Sequence, residues 1–217
     1  DVNGDGNLDI VSAMSSGEFT VAIGNGNGTF KSVTSYTGVA SVRAMTFGDF
    51  NSDGCMDIAG TSSSTGVVLL NNGNGTFYTK SSFSNPVPPV SGVAAGGDIA
   101  AGDLNGSTDL YDDIVIVDTS AGYTDNPIEI RLNNGNGTFT AVQTLGASAT
   151  NRTPSSVALG DVDSSGNADI LTAASSDAWV TVYISNGDGT FNNEATFGTN
   201  AAGGSNDIAL ADVNGDS

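Results

Sequence analysis

The sequence predicts an all-β fold assembled from β-propeller-type blades of four antiparallel strands, and three observations predict it. An acidic segment, nine residues long in three of its copies, begins at Asp1, Asp49, Asp103, Asp161 and Asp212, at intervals of 48, 54, 58 and 51 residues. Short apolar segments flank the copies, and those that precede them show period-two alternation. The turn Asn25-Gly-Asn-Gly-Thr-Phe30 returns at Asn72–Phe77, Asn134–Phe139 and, with Asp188, at Asn186–Phe191. A period near 50 residues belongs to propeller blades or tandem arrays. The 217 residues thus form one repeat domain. Its units are approximately 1–43, 44–97, 98–154 and 155–204, with the start of a fifth at 205–217.

The acidic segments read DVNGDGNLD at 1–9, DFNSDGCMD at 49–57 and DVDSSGNAD at 161–169. Oxygen side chains stand at positions 1, 3, 5 and 9, and glycine at position 6, where the backbone must turn sharply. That spacing suits calcium, a hard cation taking oxygen ligands around a tight loop. In an EF-hand the final acid comes at position 12. Here it comes at 9 and isoleucine follows at once, so the loop opens into a strand.

The candidate ligands are Asp1, Asn3, Asp5 and Asp9; Asp49, Asn51, Asp53 and Asp57; and Asp161, Asp163, Ser165 and Asp169. Position 7 (Asn7, Cys55, Asn167) needs to supply only a backbone carbonyl. Ser165 is a neutral, weaker ligand, partly offset by Asp163. The third copy, Asp103 to Asp113, carries two extra residues. It offers Asp103, Asn105 and Asp113, with Asp109 or Ser107 for position 5. The last copy contributes Asp212, Asn214 and Asp216. Asx turns that bind nothing also use Asp, Asn and Gly, but recurrence favours about four calcium sites. Magnesium would want a smaller octahedral site. Zinc and copper would want His or Cys, and the chain has no His.

Each unit is expected to run strand, loop, strand, strand, turn, strand. The first strands are Met45–Phe47, Ile99–Ala101, Val157–Leu159 and Ile208–Leu210, with larger residues alternating with small ones. The second strands are Ile10-Val11, Ile58-Ala59, Ile114–Val117 and Ile170-Leu171. Third strands follow at Phe19–Ile23, Val67–Leu70, Ile128–Leu132 and Val180–Ile184. Paired Asn-Gly steps allow the positive φ of a tight hairpin, and the Phe after them opens the outer strand. Ser84–Gly97, with three of the five prolines, reads as an inter-unit linker. Asp118–Asn126 reads as an excursion.

The charge of −19 makes nucleic acid and anionic membranes poor partners and cations good ones. No apolar run approaches the roughly 18 residues of a membrane span. One cysteine, Cys55, makes no disulfide framework. The missing His removes Ser-His-Asp and Cys-His catalysis. Paired carboxylates could run glycoside hydrolysis, but the clustered pairs are accounted for as ion ligands, so no enzyme is expected. Lys31 and Lys80 read as solvated surface residues.

In the third strands Glu18 and Thr20, Glu129 and Arg131, and Trp179, Thr181 and Tyr183 occupy one polar register. Trp179 and Tyr183 there are candidate contacts for a protein or glycan ligand, although packing against a neighbouring blade fits the pattern equally. Asn27, Asn74 and Asn136 head N-glycosylation sequons, as do Asn105 and Asn151. Turn chemistry alone also explains the first three.

DVNGDGNLDIV followed by NGNGTF resembles the FG-GAP/VCBS repeat of integrin α-subunit propellers and many secreted microbial proteins. The resemblance covers all four units. It implies calcium in the hairpin between the first two strands of a blade, held by the ligands named above. It implies too an extracellular or cell-surface setting and an adhesive or structural role. A carbohydrate-binding propeller, or the propeller domain of a polysaccharide-degrading enzyme, is the alternative. Asp1 starts on a motif without its preceding strand, and Asp212–Ser217 duplicates Asp1–Gly6. The expectation is a segment of a longer propeller or array, or a subunit that assembles head to tail into a filament.

Overall fold

The computed structural model describes residues 1–38, 41–62, 65–84, 97–106, 111–117, 127–146, 154–175, 178–192, 195–198 and 204–214. Its described residues form four antiparallel sheets and no helix. The first sheet holds β1 (Ile10–Ala13), β2 (Glu18–Gly24) and β3 (Phe30–Thr37). The second holds β4 (Ala44–Gly48), β5 (Asp57–Thr61), β6 (Thr65–Asn71) and β7 (Phe77–Ser84). The third holds β8 (Ile99–Gly102), β9 (Asp113–Val117), β10 (Pro127–Asn133) and β11 (Phe139–Gly146). The fourth holds β12 (Pro154–Gly160), β13 (Asp169–Ala174), β14 (Trp179–Tyr183) and β15 (Ala195–Gly198). Every sheet is a meander in chain order. First strands of successive sheets lie side by side, β4 beside β8 and β8 beside β12. That is the inner edge of a stack of blades.

Successive strand residues face opposite sides of a sheet, so a blade between two others must be apolar on both faces. Within β6, Val67 and Leu69 pack with Phe19 and Val21 of the first blade. Val68 and Leu70 pack with Ile114 and Ile116 of the third. Ile128 and Ile130 meet Ile170 and Tyr183 of the fourth. The core is therefore three slabs between blades rather than one centre.

Glycines let the slabs close up. A Cβ added at Gly60 would lie 2.4 Å from the Phe19 ring across the first interface. Gly60→Ala is expected to cost about 1–3 kcal/mol by overpacking, read as a lower urea midpoint. An unchanged midpoint would mean the interface gives way freely.

Several expectations need correction. Of the two readings of the register holding Glu129 and Arg131, blade packing is the one found there: it lies against the second blade, with 5% and 7% exposure. Arg131 Nε donates to Glu129 Oε2 at 2.6 Å, and another guanidinium nitrogen donates to Ser84 O at 2.6 Å. The guanidinium also stands 5.0 Å from the Phe83 ring centre. In the fourth blade the outer strand begins at Ala195, and Phe191 makes only an isolated bridge to Ser185. Ile208–Leu210 is not a strand. Its segment lies against the fourth blade, with Ser205 N donating to Ala174 O at 2.8 Å and Leu210 beside Gly160. The linker residues 85–96 and the excursion 118–126 lie outside the described residues.

Candidate metal centre

The four acidic loops join first to second strands at one end of the blades, except that the first loop precedes β1. Each closing acid is tied down the same way. One carboxylate oxygen accepts from the N–H at loop position 2, the other from the N–H at the end of the third strand. For Asp9 these are Val2 at 2.9 Å and Gly24 at 2.7 Å. For Asp57 they are Phe50 at 2.9 Å and Asn71 at 2.7 Å. Asp113 takes Leu104 at 3.1 Å and Asn133 at 2.8 Å. Asp169 takes Val162 and Ser185, both at 2.9 Å. Asp57, Asp113 and Asp169 are fully buried. Sequence reasoning treated these acids only as ligands and missed this bracket. The signal for it was the apolar residue at position 2, buried as Val2, Phe50 and Leu104.

The front of each loop curls around its first carboxylate. Asp1 accepts from Gly4 N at 2.8 Å and Gly6 N at 2.7 Å. Asp49 accepts from Asp53 N at 3.1 Å and Gly54 N at 2.8 Å. Asp161 accepts from Ser165 N at 3.0 Å and Gly166 N at 2.7 Å. The position-3 oxygens of Asn3, Asn51 and Asp163 accept from the position-5 N–H at 3.0, 3.2 and 3.0 Å. Left-handed backbone occurs at position 6, as expected, and also at position 4, where Ser52 and Ser164 have φ of 58° and 61°.

At position 7, Asn7 and Cys55 donate backbone N–H to Asp5 and Asp53, each at 2.9 Å, and Asn167 to Ser165 Oγ at 3.3 Å. The Asn7 side chain crowds the turn glycine Gly26, leaving no room there for a Cβ. Loop and turn therefore touch, which explains why the sequence repeats them together. In the third loop Asn105 N donates to Asp103 Oδ1 at 3.2 Å, and in the last copy Asn214 N to Asp212 Oδ1 at 3.2 Å. Ser107, Asp109 and Asp216 lie outside the described residues.

Electrostatics differ among the loops. Lys31 Nζ, 2.9 Å from Asp5 Oδ2, holds that carboxyl far below the usual range, helped by Asn3. The Gly166 N–H lowers Asp161. Burial works against Asp53, but hydrogen bonds from Asn51 and Cys55 outweigh it and the net shift is downward. Burial pushes Asp57 up to about 6, with the charges of Asp53 and Asp49 adding to it. In the fourth loop carboxylate oxygens of Asp161, Asp163 and Asp169 lie within 4.8 Å of one another. Three like charges so close, all on hard oxygen donors, fit a divalent cation of the calcium type.

Loops are also held from the following blade. Asn71 Nδ2 donates to Val2 O at 2.7 Å, and Asn133 Nδ2 to Phe50 O at 3.0 Å. Gly189 N donates to Leu104 O at 3.2 Å.

A further correction concerns the aromatic pair. Tyr183 is buried, at 3% exposure, in the slab between the third and fourth blades. Trp179 is 38% exposed. The exposed turn residues Asn27, Asn74 and Asn136 accept from the N–H of Thr29, Thr76 and Thr138 at 3.1, 3.0 and 3.0 Å. Asp188 does the same for Thr190 at 3.0 Å. Turn geometry thus accounts for these side chains, whether or not they carry glycans.

The FG-GAP-like repeat family matches residues 1–60, 49–110, 107–172 and 161–217. The chain belongs to this family. Its repeat boundaries fall at or near the acidic loops just described. No curated protein matches the sequence. Among solved structures, the chain is similar to an Agrocybe aegerita lectin that recognises non-reducing terminal N-acetylglucosamine. Identity is 25% and the TM-score 0.65, covering 92% of this chain and 51% of the lectin. It is also similar in fold to BBS1N from its complex with ARL6DN, at 14% identity and a TM-score of 0.56, covering 91% and 55%. The FG-GAP-like chain therefore spans about half the length of these solved structures.

Proposed function

We propose that this FG-GAP-like chain is a calcium-stabilised, extracellular or cell-surface repeat module with an adhesive or structural role and no catalysis of its own. The observation that supports it is the fourth loop, where Asp161, Asp163 and Asp169 bring carboxylate oxygens within 4.8 Å. Asp1, Asn3, Asp5 and Asp9 would serve the first loop, and Asp49, Asn51, Asp53 and Asp57 the second. Bound calcium would supply positive charge that cancels the repulsion among these groups. The chain's own part is to fix the loop: backbone N–H groups orient Asp1, Asp49 and Asp161, and the closing acids anchor each hairpin to its third strand. Extracellular modules hold calcium at about 10⁻⁴–10⁻³ M, so the fluid outside cells would keep exposed loops filled.

Calorimetric titration of chelated protein with calcium chloride tests this reading. Several sites are expected at pH 7, and no binding heat at millimolar calcium would end it. At pH 5 the Asp57 carboxyl, near 6 when metal-free, is mostly protonated. The proton must leave before an ion binds, so the second loop should bind more weakly at pH 5 than at pH 7.

Glycan recognition is a second reading, favoured by the lectin likeness and by the half-exposed Trp179. On a glycan array in calcium, binding to terminal N-acetylglucosamine or related sugars is expected, and Trp179→Ala should weaken it. An array without signal in calcium would leave only the structural role.

A further inference from the structure

The third blade reaches into the second loop through one residue that the repeat pattern does not contain. Asp112 precedes the closing acid Asp113, a place held in the other loops by Leu8, Met56 and Ala168. Its side chain turns to the neighbouring blade, where Asp112 Oδ2 accepts from Asp49 N at 2.8 Å. Its own N–H donates to Asp49 O at 3.1 Å. Asn133 Nδ2 joins Asp112 O and Phe50 O, both at 3.0 Å, and locks the pair together. Gly48 makes room for both neighbours: a Cβ there would stand 2.8 Å from the Phe50 ring, 2.9 Å from Asp112 Oδ2 and 3.0 Å from Asp112 Cβ. Asp49 is the residue around whose carboxylate the second loop curls, through the N–H groups of Asp53 and Gly54. Its backbone is thus gripped on both sides by the next blade.

We infer that Asp112 is a cross-blade positioning residue for ion binding by the second loop, an inference that rests on the calcium reading above. It fixes Asp49 before any ion arrives, and pre-ordering a binding group raises affinity by removing the cost of ordering it later. The second loop is therefore tuned by its neighbour, and its affinity differs from that of the first and fourth loops.

The test is a calcium chloride titration of the whole chain followed by amide NMR signals of Gly6, Gly54 and Gly166, one reporter in each of three loops. Asp112→Ala should raise the calcium needed for the Gly54 midpoint about tenfold, the scale of one lost hydrogen bond. Gly6 and Gly166 should keep their midpoints. Asp112→Asn retains an oxygen that can accept from Asp49 N and should stay near wild type. Asp112→Leu, which puts there the residue type of Leu8 in the first loop and removes the acceptor, should act like Asp112→Ala and serves if that variant does not fold. Equal Gly54 midpoints in wild type and the folded variants would overturn the positioning role while leaving calcium binding intact. A wild-type chain in which none of the three signals responds would overturn both.

Discussion

Chelated protein is expected to melt well below the calcium-loaded protein. An ion that binds only the folded state adds RT ln(1 + [L]/Kd), about 1.4 kcal/mol per site at a tenfold excess over Kd. With several loops filled, the sum approaches the lower end of the whole stability of an ordinary domain, roughly 5–15 kcal/mol. The pH dependence gives an independent sign. Without metal, Asp57 has a carboxyl near 6 in the fold against 3.8 for the free group. A raised acid favours the fold in its protonated form, so that contribution is fully present below 3.8 and is lost as pH rises through 6. In chelator, stability should therefore fall on the order of 2–3 kcal/mol across that window from this group. With calcium in excess the fall should shrink or reverse, because the ion stabilises the ionised form. Thermal melts at several pH values, with chelator and with calcium, check both effects. Superimposable curves would remove calcium from the account of this fold.

Asp113→Ala carries the next largest expected effect, and it does so without any ion. The substitution strips acceptors from Leu104 N and Asn133 N, both in buried residues. Each orphaned buried donor costs about 1–3 kcal/mol, for a total of roughly 2–6 kcal/mol. The loss should appear in urea unfolding with chelator present, which separates the bracket from any ligand role. Ser165→Ala, in an exposed part of the fourth loop, is the comparison and should change the chelated midpoint little. Equal midpoints for the two variants would mean that the closing acid is not the anchor described.

Much of the fold was legible because local and tertiary demands coincide. The continuous β-branched run Ile114–Val117 and the turn Asn72–Phe77 name a strand and a hairpin without reference to neighbours. Loop position 6 was legible for the same reason, since a sharp turn favours glycine. What stayed hidden depended on the partner. The register of Glu129, Arg131 and Tyr183 left ligand contact and blade packing both open, because nothing local reveals that another blade covers it. Burial of an arginine is acceptable there only because Glu129 and Ser84 O meet its donors. The double duty of Asp57 and Asp113 was hidden too, because a carboxylate that brackets two N–H groups has the same letter as one that faces an ion. Asp112 looked like part of an irregular insertion until its partner on another blade was known.

The turn glycines Gly75, Gly137 and Gly189 lead to a different point. A Cβ at each would meet Ile23, Leu70 and Leu132 of the blade before it. The loop carbonyls Val2, Phe50 and Leu104 accept from the blade after them. Together these ties give the chain a nearest-neighbour grammar, in which each unit is completed by its successor. Such an array lengthens by duplication without redesign, and its stability is approximately a sum of unit and junction terms. A lesion in one blade is then felt first by the loop of its predecessor, so damage would travel backwards along the sequence, one junction at a time.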